Sequence, residues 1–318
     1  MKFAAIDIGS NSIKLVVVDV AAGDSFAVLA SDKETVRLGH ETLLKGHLGP
    51  AAILNATDCI RRFQAMAEAH GAEKIIAIAT AAVRAANNSA DFVNAVEQQT
   101  GIKVEILSGI EEARLIGLAA SHGCSGKAAT TLNIDIGGGS TEISIFRDGL
   151  PLRLHSIRLG AVGLTERFLK SDPPGANAVR EMQFEIQAAV EGSARELQDA
   201  HWDSVTGTSG TILAIGNTLR DWTGEAVINS RELSQFNASL AQMTIAERQS
   251  AARITQQRAE IVVAGGLILE GVMRALGIKS LTTCEWSLRE GVIIDRLRDW
   301  DVSRKGREED TKAQSSSL

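Results

Sequence analysis

The sequence lacks the features that are typical of disulfide-rich, zinc-binding, membrane-spanning and secreted proteins. Its three cysteines, Cys59, Cys124 and Cys284, are odd in number and widely spaced, which fits neither a disulfide framework nor a zinc site and favours a reducing compartment. Its apolar runs are too short to cross a bilayer, and the chain opens on the strand pattern Lys2–Ile8 where a signal peptide would stand. These absences predict a cytoplasmic protein with no membrane contact.

A basic surface is also missing. Lysine and arginine number 33 against 39 aspartates and glutamates, and the formal net charge is −6. Because nucleic-acid binding of the ordinary kind depends on a basic patch, the sequence argues against DNA as a partner. A phosphate-rich substrate would need locally placed arginines, lysines, backbone amides and metal ions.

Length and composition favour two globular domains. The chain has 318 residues, of which 44% are hydrophobic and 23% charged. Strand and helix patterns alternate in the first half and recur in the second, so we predict an α/β chain of two similar domains. We expect them at 1–123 and 124–300, with a hinge near Gly123–Ala129 and a disordered tail over 301–318.

One glycine turn carries the strongest chemical signal. Asp135 ends a buried strand pattern, the turn Gly137-Gly138-Gly139-Ser140-Thr141 follows, and Glu142 opens a second strand. Consecutive glycines let backbone N–H groups converge on an anion, most often phosphate. A carboxylate beside such a turn would repel phosphate unless a divalent cation lay between them. The stretch therefore predicts a metal-assisted phosphate site.

The same order of residues occurs near the N-terminus. Asp7 precedes the turn Gly9-Ser10-Asn11-Ser12, and the two aspartates are 128 positions apart, about the length of a domain. The second strand of the later copy runs to Asp148-Gly149, a strong hairpin signal. An aspartate can also simply fix its own turn. The repetition favours a duplicated domain with two anion-binding turns facing one another across a cleft.

Seven motifs in a fixed order resemble those of a known family. They are Ile6–Ser12, Val36–Gly39, Thr80–Arg84, Ser108–Arg114, Asp135–Glu142, Gly207–Thr211 and Leu288–Val292. Together they closely resemble the exopolyphosphatase / guanosine pentaphosphate phosphohydrolase (Ppx/GppA) family, from residue 3 to about 298. The resemblance implies two duplicated actin-like (ribonuclease H-like, ASKHA) domains around an interdomain cleft, in the short two-domain form, and a homodimer.

The resemblance also implies an activity. The expected enzyme is a Mg²⁺- or Mn²⁺-dependent exopolyphosphatase, in which water attacks the terminal phosphoryl group of inorganic polyphosphate. The alternative substrate is guanosine pentaphosphate, at its 5′ γ-phosphate. An ATP-dependent kinase of the same fold and a non-catalytic phosphate or alarmone sensor remain open, although the Glu-Glu-Ala-Arg motif at 111–114 disfavours a kinase, which would position a sugar hydroxyl and not water.

The resemblance assigns catalysis to Glu112 as the base that orients water, together with Asp135 and Arg84. From the residues alone, Ser108 and Glu111 have capping-box spacing, which gives Glu111 a structural task and leaves Glu112 without one. A helix N-terminus stabilises a carboxylate, so we expect the pKa of Glu112 to be lowered.

Metal and phosphate ligands follow in the same way. Asp135, Glu142 and Asp7 are expected to hold the metal, since Mg²⁺ prefers a few carboxylates plus substrate oxygens. Arg84 is expected to clamp phosphate in a bidentate way, although it could be a solvated helix arginine. The last junction, at 207–211, could equally be a simple helix cap. The expected phosphate-binding residues are Gly9, Ser10, Asn11, Ser12, Thr80, Gly137, Gly138, Gly139, Ser140, Thr141, Gly207, Thr208, Ser209 and Gly210.

The chain departs from the family pattern at His40-Glu41 and at Cys284-Glu285-Trp286-Ser287. Trp286 could stack on a base or fill the core, and the core is favoured. Both departures leave the hydrolytic residues in place and bear only on the choice of substrate.

Overall fold

The computed structural model describes residues 1–20, 26–40, 42–124, 129–224 and 227–298. Its first sheet has the order β3-β2-β1-β4-β5. The strands β1, β2 and β3 form an antiparallel meander, and β4 and β5 continue the sheet in parallel from β1. Their bounds are β1 (Lys2–Ile8), β2 (Ile13–Val20), β3 (Phe26–Glu34), β4 (Lys74–Ala79) and β5 (Val104–Ile106).

The second sheet repeats this topology. Its order from one edge is β8-β7-β6-β9-β11-β10, again an antiparallel meander followed by strands parallel to its first member, with one further antiparallel strand at the edge. The strands are β6 (Thr130–Ile136), β7 (Thr141–Arg147), β8 (Leu150–Ile157), β9 (Ser204–Thr208), β10 (Val227–Asn229) and β11 (Ser280–Thr283). The predicted duplication of an α/β domain is confirmed.

Twelve helices accompany the sheets within the described residues. They are α1 (Thr42–Lys45), α2 (Pro50–Ala69), α3 (Ala81–Ala85), α4 (Ser89–Thr100), α5 (Gly109–Gly123), α6 (Ala161–Phe168), α7 (Ala176–Leu197), α8 (Ser209–Thr223), α9 (Ser230–Leu240), α10 (Ile245–Ala252), α11 (Gln256–Ala275) and α12 (288–298). In the parts of the chain that the structure describes, none of them is both long and apolar enough to cross a membrane.

Helical periodicity decides which faces of the helices are buried. In α2 the spacing of Ala56, Ile60, Phe63 and Ala67 places all four on the side that faces the core of the first sheet, as predicted. In α11 nearly every side chain between 259 and 273 is buried, because this helix lies in the centre of the second core and contacts α6, α7, α8, α9 and α10. Each sheet thus has its own hydrophobic core.

Two helices connect the domains. Helix α5 packs on β7 and β8 of the second sheet, while its Leu115 and Ile116 also contact Ile78 of the first. Helix α12 follows the last strand of the second sheet but buries Leu297 with the first. The two helices approach so closely that a Cβ on Gly291 would lie 2.0 Å from the carbonyl oxygen of Leu115. Only glycine fits at this crossing, which accounts for its place in the last motif.

The hairpin signal at Asp148-Gly149 is confirmed, and it implies a strand that the sequence pattern hides. Both residues have positive φ, 51° and 75°, and they join β7 to β8. Strand β8 is exposed over its first four residues and includes Pro151, so it lacks the apolar alternation of an ordinary strand. The predicted turn near residue 23, most of the hinge and the tail lie outside the described residues.

The expectation that the cysteines form no disulfide is wrong for two of them. Cys124, at the C-terminal end of α5, is bonded to Cys284, directly after β11, while Cys59 is a buried free thiol. The bonded residues are 160 positions apart, so their pairing depends on the fold and leaves no trace in local spacing. The bond ties α5 to the segment that leads into α12.

We expect the protein, unfolded in denaturant without reductant, to show one thiol per chain by thiol titration, and three after reduction. Because the bond closes a long loop, Cys124→Ser should lower the free energy of unfolding by about 2–4 kcal/mol under oxidising conditions. Reductant should remove the difference between variant and wild type. Three thiols before reduction would show that the bond does not form.

Candidate active site

The two glycine turns line one cleft between the domains. The cleft has a volume of about 80 Å³ and is lined by fourteen of the candidate site residues singled out in the sequence. These are Asp7, Gly9, Ser10, Asn11, Ser12, Thr80, Glu112, Asp135, Gly137, Gly138, Gly139 and Ser140, and from the third junction Ser209 and Gly210 lie there as well. Residues from five separate segments of the chain therefore meet in one cleft.

The backbone carbonyls of the first turn accept hydrogen bonds from a neighbouring loop. Within the turn, the N–H of Gly9 donates to the carbonyl of Ser12. The carbonyls of Ser10 and Asn11 accept from the N–H groups of Gly39 and Arg37, at 2.6 and 2.9 Å. This contact explains why the motif at 36–39 accompanies the turn.

The second turn has the same construction. The N–H of Gly137 donates to the carbonyl of Ser140, and the carbonyls of Gly137 and Gly138 accept from the first residues of α6. A Cβ on Gly160 would lie 2.4 Å from the backbone of Gly138, so the helix approaches through a glycine. The N–H groups of Gly138 and Gly139 donate to no other group in the described part of the chain. Such free amides bind an anion.

Glu112 enters the cleft from the first turn of α5. Ser108 caps this helix by accepting from the N–H of Glu111 at 3.1 Å. The second half of the predicted capping box is wrong, because the carboxylate of Glu111 binds Arg114 at 2.6 Å and does not return to Ser108. Glu111 faces outward and Glu112 is buried.

The environment of Glu112 raises its pKa to about 7. Burial is the main cause, the charges of Asp7 and Asp135 add to it, and Arg84 opposes it. The expected lowering by the helix N-terminus is therefore wrong in direction, since the loss of hydration outweighs it. A carboxylate with this pKa suits a base that works near neutral pH.

Arg84 lies behind Glu112 and outside the cleft. One of its guanidinium nitrogens, Nη1, donates to Oε2 of Glu112 and to the carbonyl of Leu107, both at 2.8 Å. The rest of the side chain lines a neighbouring pocket. In this arrangement Arg84 orients the carboxylate of Glu112.

Asp135 and Glu142 are opposite one another on β6 and β7. Asp135 accepts from the hydroxyls of Thr208 and Ser287, at 2.6 and 3.1 Å, and burial raises its pKa. Glu142 accepts from Ser156 at 2.8 Å, and its other oxygen is buried without a partner. Burial and the neighbouring charges of Glu112 and Asp135 raise the pKa of Glu142 well above its usual value.

The first domain places a lysine where the second has Glu142. Asp7 is opposite Lys14 on β1 and β2, and the two side chains form an ion pair at 3.4 Å. The duplicated hairpins thus differ in charge at one position. The acidic hairpin of the second domain fits a cation better than the compensated hairpin of the first.

The donor set is suited to a hard cation that shares its coordination with a substrate. Within the described residues, no group of three or more histidine, cysteine or acidic side chains is placed to hold a metal ion by itself. The unpartnered oxygen of Glu142 and the carboxylate of Asp135 are oxygen donors beside a phosphate-type turn. This combination is what Mg²⁺ takes when substrate oxygens and waters complete its coordination.

Two cationic residues of the cleft were missed in the sequence. Lys14 is hidden within a strand pattern, and Arg258 lies in the first turn of α11. Arg258 donates to the hydroxyl of Thr211 at 2.9 Å, and burial lowers its pKa to about 10. Nearby, burial and the charges of Arg258 and Lys14 lower the pKa of Lys33 to about 8. These groups make one end of the cleft positive.

Three of the expected phosphate ligands have structural tasks. Thr141 donates to the carbonyl of Leu159, Thr208 holds Asp135, and Gly207 is packed beneath α8. Ser209, by contrast, has a φ of 87°, an unusual backbone conformation at the edge of the cleft. Its hydroxyl accepts from the N–H groups of the first turn of α8.

Of the two departures from the family pattern, Ser287 reaches the cleft, where it donates to Asp135, while His40 and Trp286 do not line it. The ring of Trp286 stacks on Phe26 with a centroid distance of 5.1 Å and lies against Gly123, so it fills the core. His40 approaches Glu166 of the second domain at 3.2 Å, and Glu41 is outside the described residues.

Comparisons with known proteins agree with this geometry. A sequence model of the Ppx/GppA phosphatase family matches residues 16–299. The chain is 33% identical to Exopolyphosphatase 1 of Mycobacterium leprae, over 93% of this chain and 90% of that protein. It is 30% identical to the guanosine-5'-triphosphate,3'-diphosphate pyrophosphatase of Photobacterium profundum, over 95% of this chain but 61% of that protein.

Solved structures show the same fold. The exopolyphosphatase from Cytophaga hutchinsonii superimposes with a TM-score of 0.86 at 25% identity, over 94% of this chain and 98% of that one. The Ppx/GppA family member from Aquifex aeolicus has a TM-score of 0.78 at 23% identity, over 94% and 98% of the two chains.

Glu142→Gln should stabilise the metal-free protein at pH 8. Since the folded pKa of Glu142 lies well above the usual 4.5, its contribution to stability is present below pH 4.5 and is lost as the pH rises through the folded pKa. We expect a gain of about 1–3 kcal/mol at pH 8 that vanishes near pH 4.5, measured by urea unfolding in the presence of chelator. The exposed Glu97→Gln is the control, and an equal gain at both pH values would contradict the argument.

Proposed function

This chain belongs to the Ppx/GppA phosphatase family, and we propose that it is an exopolyphosphatase that hydrolyses the terminal phosphoryl group of inorganic polyphosphate. The observation that carries the proposal is a buried glutamate, Glu112, with a pKa near 7, in the same cleft as two turns of free backbone amides. The relatives named exopolyphosphatase match nearly the whole chain, which supports the same substrate.

Each side of the cleft has a part in the proposed reaction. The amides of the two turns bind the oxygens of the terminal phosphoryl group, and Lys14 and Arg258 bind the phosphates that precede it. Glu112 orients water on the opposite face and accepts its proton, while Arg84 keeps the carboxylate in position. Attack at phosphorus breaks the P–O bond to the chain, which yields orthophosphate and a polyphosphate shorter by one unit.

We propose that Asp135 and Glu142 hold Mg²⁺ or Mn²⁺ together with substrate oxygens, while Asp7, the third expected ligand, is paired with Lys14. The bound ion would supply positive charge to the phosphate oxygens. This assignment rests on the unpartnered oxygen of Glu142 and on the excess of carboxylates over cations at the turn of the second domain.

Guanosine pentaphosphate is the second candidate substrate. The relative from Photobacterium profundum supports it, although this chain covers 61% of that protein. A homodimer, a cytoplasmic location and the absence of DNA binding remain predictions from the sequence.

Glu112→Gln should lower turnover by about 10²–10⁴ with little change in KM, because the amide cannot accept the proton of water. The measurement is phosphate release from long-chain polyphosphate and from guanosine pentaphosphate with Mg²⁺. For the wild type we expect kcat to rise with pH through about 7, since Glu112 must be deprotonated to act as a base.

Glu111→Gln is the matched control, one residue away and on the outer face of the same helix. It should retain activity. If Glu112→Gln were as active as the wild type, Glu112 would not be the base. If the wild type bound both substrates and cleaved neither, the protein would be a sensor and not a hydrolase.

Mg²⁺ should raise the melting temperature of the wild type, and Asp135→Asn or Glu142→Gln should reduce the shift. A ligand at a hundred times its Kd stabilises the folded state by about 2.7 kcal/mol, so the effect is measurable without turnover. Glu97→Gln should keep the full shift. Equal shifts in all variants would place the ion elsewhere.

A further inference from the structure

A second pocket adjoins the cleft. It has a volume of about 220 Å³ and shares three wall residues with the cleft, Ala81, Gly139 and Ser140. The wall is thin because its residues are small: a Cβ on Gly139 would lie 2.8 Å from the Cβ of Ala81. A water molecule takes about 30 Å³ in the liquid, so the pocket has room for an ion the size of orthophosphate.

The lining of this pocket is cationic. It includes Arg84, Arg158 and Arg167, and no acidic side chain. Arg158 is exposed and forms no hydrogen bond or ion pair with any other described residue. Arg167 pairs at 2.9 Å with Glu185, which is not part of the lining. An anion that enters would therefore meet three guanidinium groups; Arg84 and Arg167 also pair with carboxylates outside the lining, and Arg158 is available to the anion.

Arg84 connects the pocket to the reacting end of the cleft. It lines the pocket and donates to Glu112 at 2.8 Å. In an in-line displacement the water attacks from the side opposite the departing chain. The freed phosphate therefore forms on the side of Glu112 and Arg84, while the shortened chain occupies the side of Lys14 and Arg258.

We propose that the second pocket is an orthophosphate site through which the product leaves while the shortened chain stays bound. The inference rests on the proposed function, because it needs a product that forms in a cleft still occupied by the shortened chain. Arg84 and Arg158 attract the ion from the cleft, and the exposed side of the pocket returns it to solvent.

The first test is binding of radiolabelled orthophosphate to the full chain while an imido-linked tripolyphosphate, which resists hydrolysis, saturates the cleft. We expect one orthophosphate per chain, about tenfold or more weaker binding in Arg158→Gln, and none in Gly163→Leu, whose side chain would fill the pocket. An added Cβ on Gly163 has its first neighbour at 3.7 Å, so Gly163→Ala should fold and bind as the wild type does.

Arg153→Gln is the charge control, since Arg153 is exposed on β8, the strand that directly precedes Arg158, and lies outside the pocket. It should bind orthophosphate as the wild type does. If the analogue displaced orthophosphate completely, or if Arg158→Gln bound it as tightly as the wild type, the proposal would be overturned.

The second test is the pattern of product inhibition. Orthophosphate that uses a separate exit should inhibit polyphosphate hydrolysis noncompetitively, and Arg158→Gln should raise its inhibition constant about tenfold. Competitive inhibition would show that the product leaves through the cleft. A protein that binds orthophosphate beside the analogue but releases none from polyphosphate refutes the proposed function and retains the anion site.

Discussion

Four buried carboxylates lie in or beside the cleft, and the repulsion among them is the constraint on which the site depends. Asp7, Glu112, Asp135 and Glu142 are all nearly inaccessible to solvent. Burial and mutual repulsion raise the pKa of Glu112 and Glu142, because a buried charge loses its hydration. The fold holds these groups together at a cost in stability, which is typical of a site shaped for function.

The duplicated domains resolve this repulsion differently. In the first, Lys14 stands opposite Asp7 and neutralises it within the hairpin. In the second, Glu142 stands opposite Asp135 and adds to the negative charge. The two domains therefore share one backbone arrangement but differ in charge. The turn of the first domain is neutralised by its own lysine, whereas the negative charge at the turn of the second domain would be balanced by a bound cation. Because of this difference in charge, the two sides of the cleft are chemically distinct although their folds are alike.

Helices α5 and α12 connect the two domains and fix the positions of the two sides of the cleft relative to each other. Helix α5 carries Glu112 in its first turn and is followed by Cys124 of the Cys124–Cys284 bond, so one rigid element connects the reacting carboxylate to the loop before α12. Ser287 in that loop donates to Asp135. Ion pairs between the domains, such as Arg37 with Glu260 at 2.8 Å, add to these connections.

Local interactions determined what the sequence could reveal by itself. The glycine turns, the apolar periodicity of α2, the Asp148-Gly149 hairpin and the N-cap at Ser108 all arise between residues close in the chain, and each was predicted. The repeated order of aspartate and glycine turn also predicted the duplication of the domain.

Only the tertiary structure decided the rest, because it depends on residues that are distant in sequence. The pairing of Cys124 with Cys284, the role of Arg84 behind Glu112 and the presence of Arg258 in the cleft have no local signal. The pKa of Glu112 also depends on residues that are distant in sequence. Its helix position favours the charged form, but the surrounding domains bury it, and burial prevails.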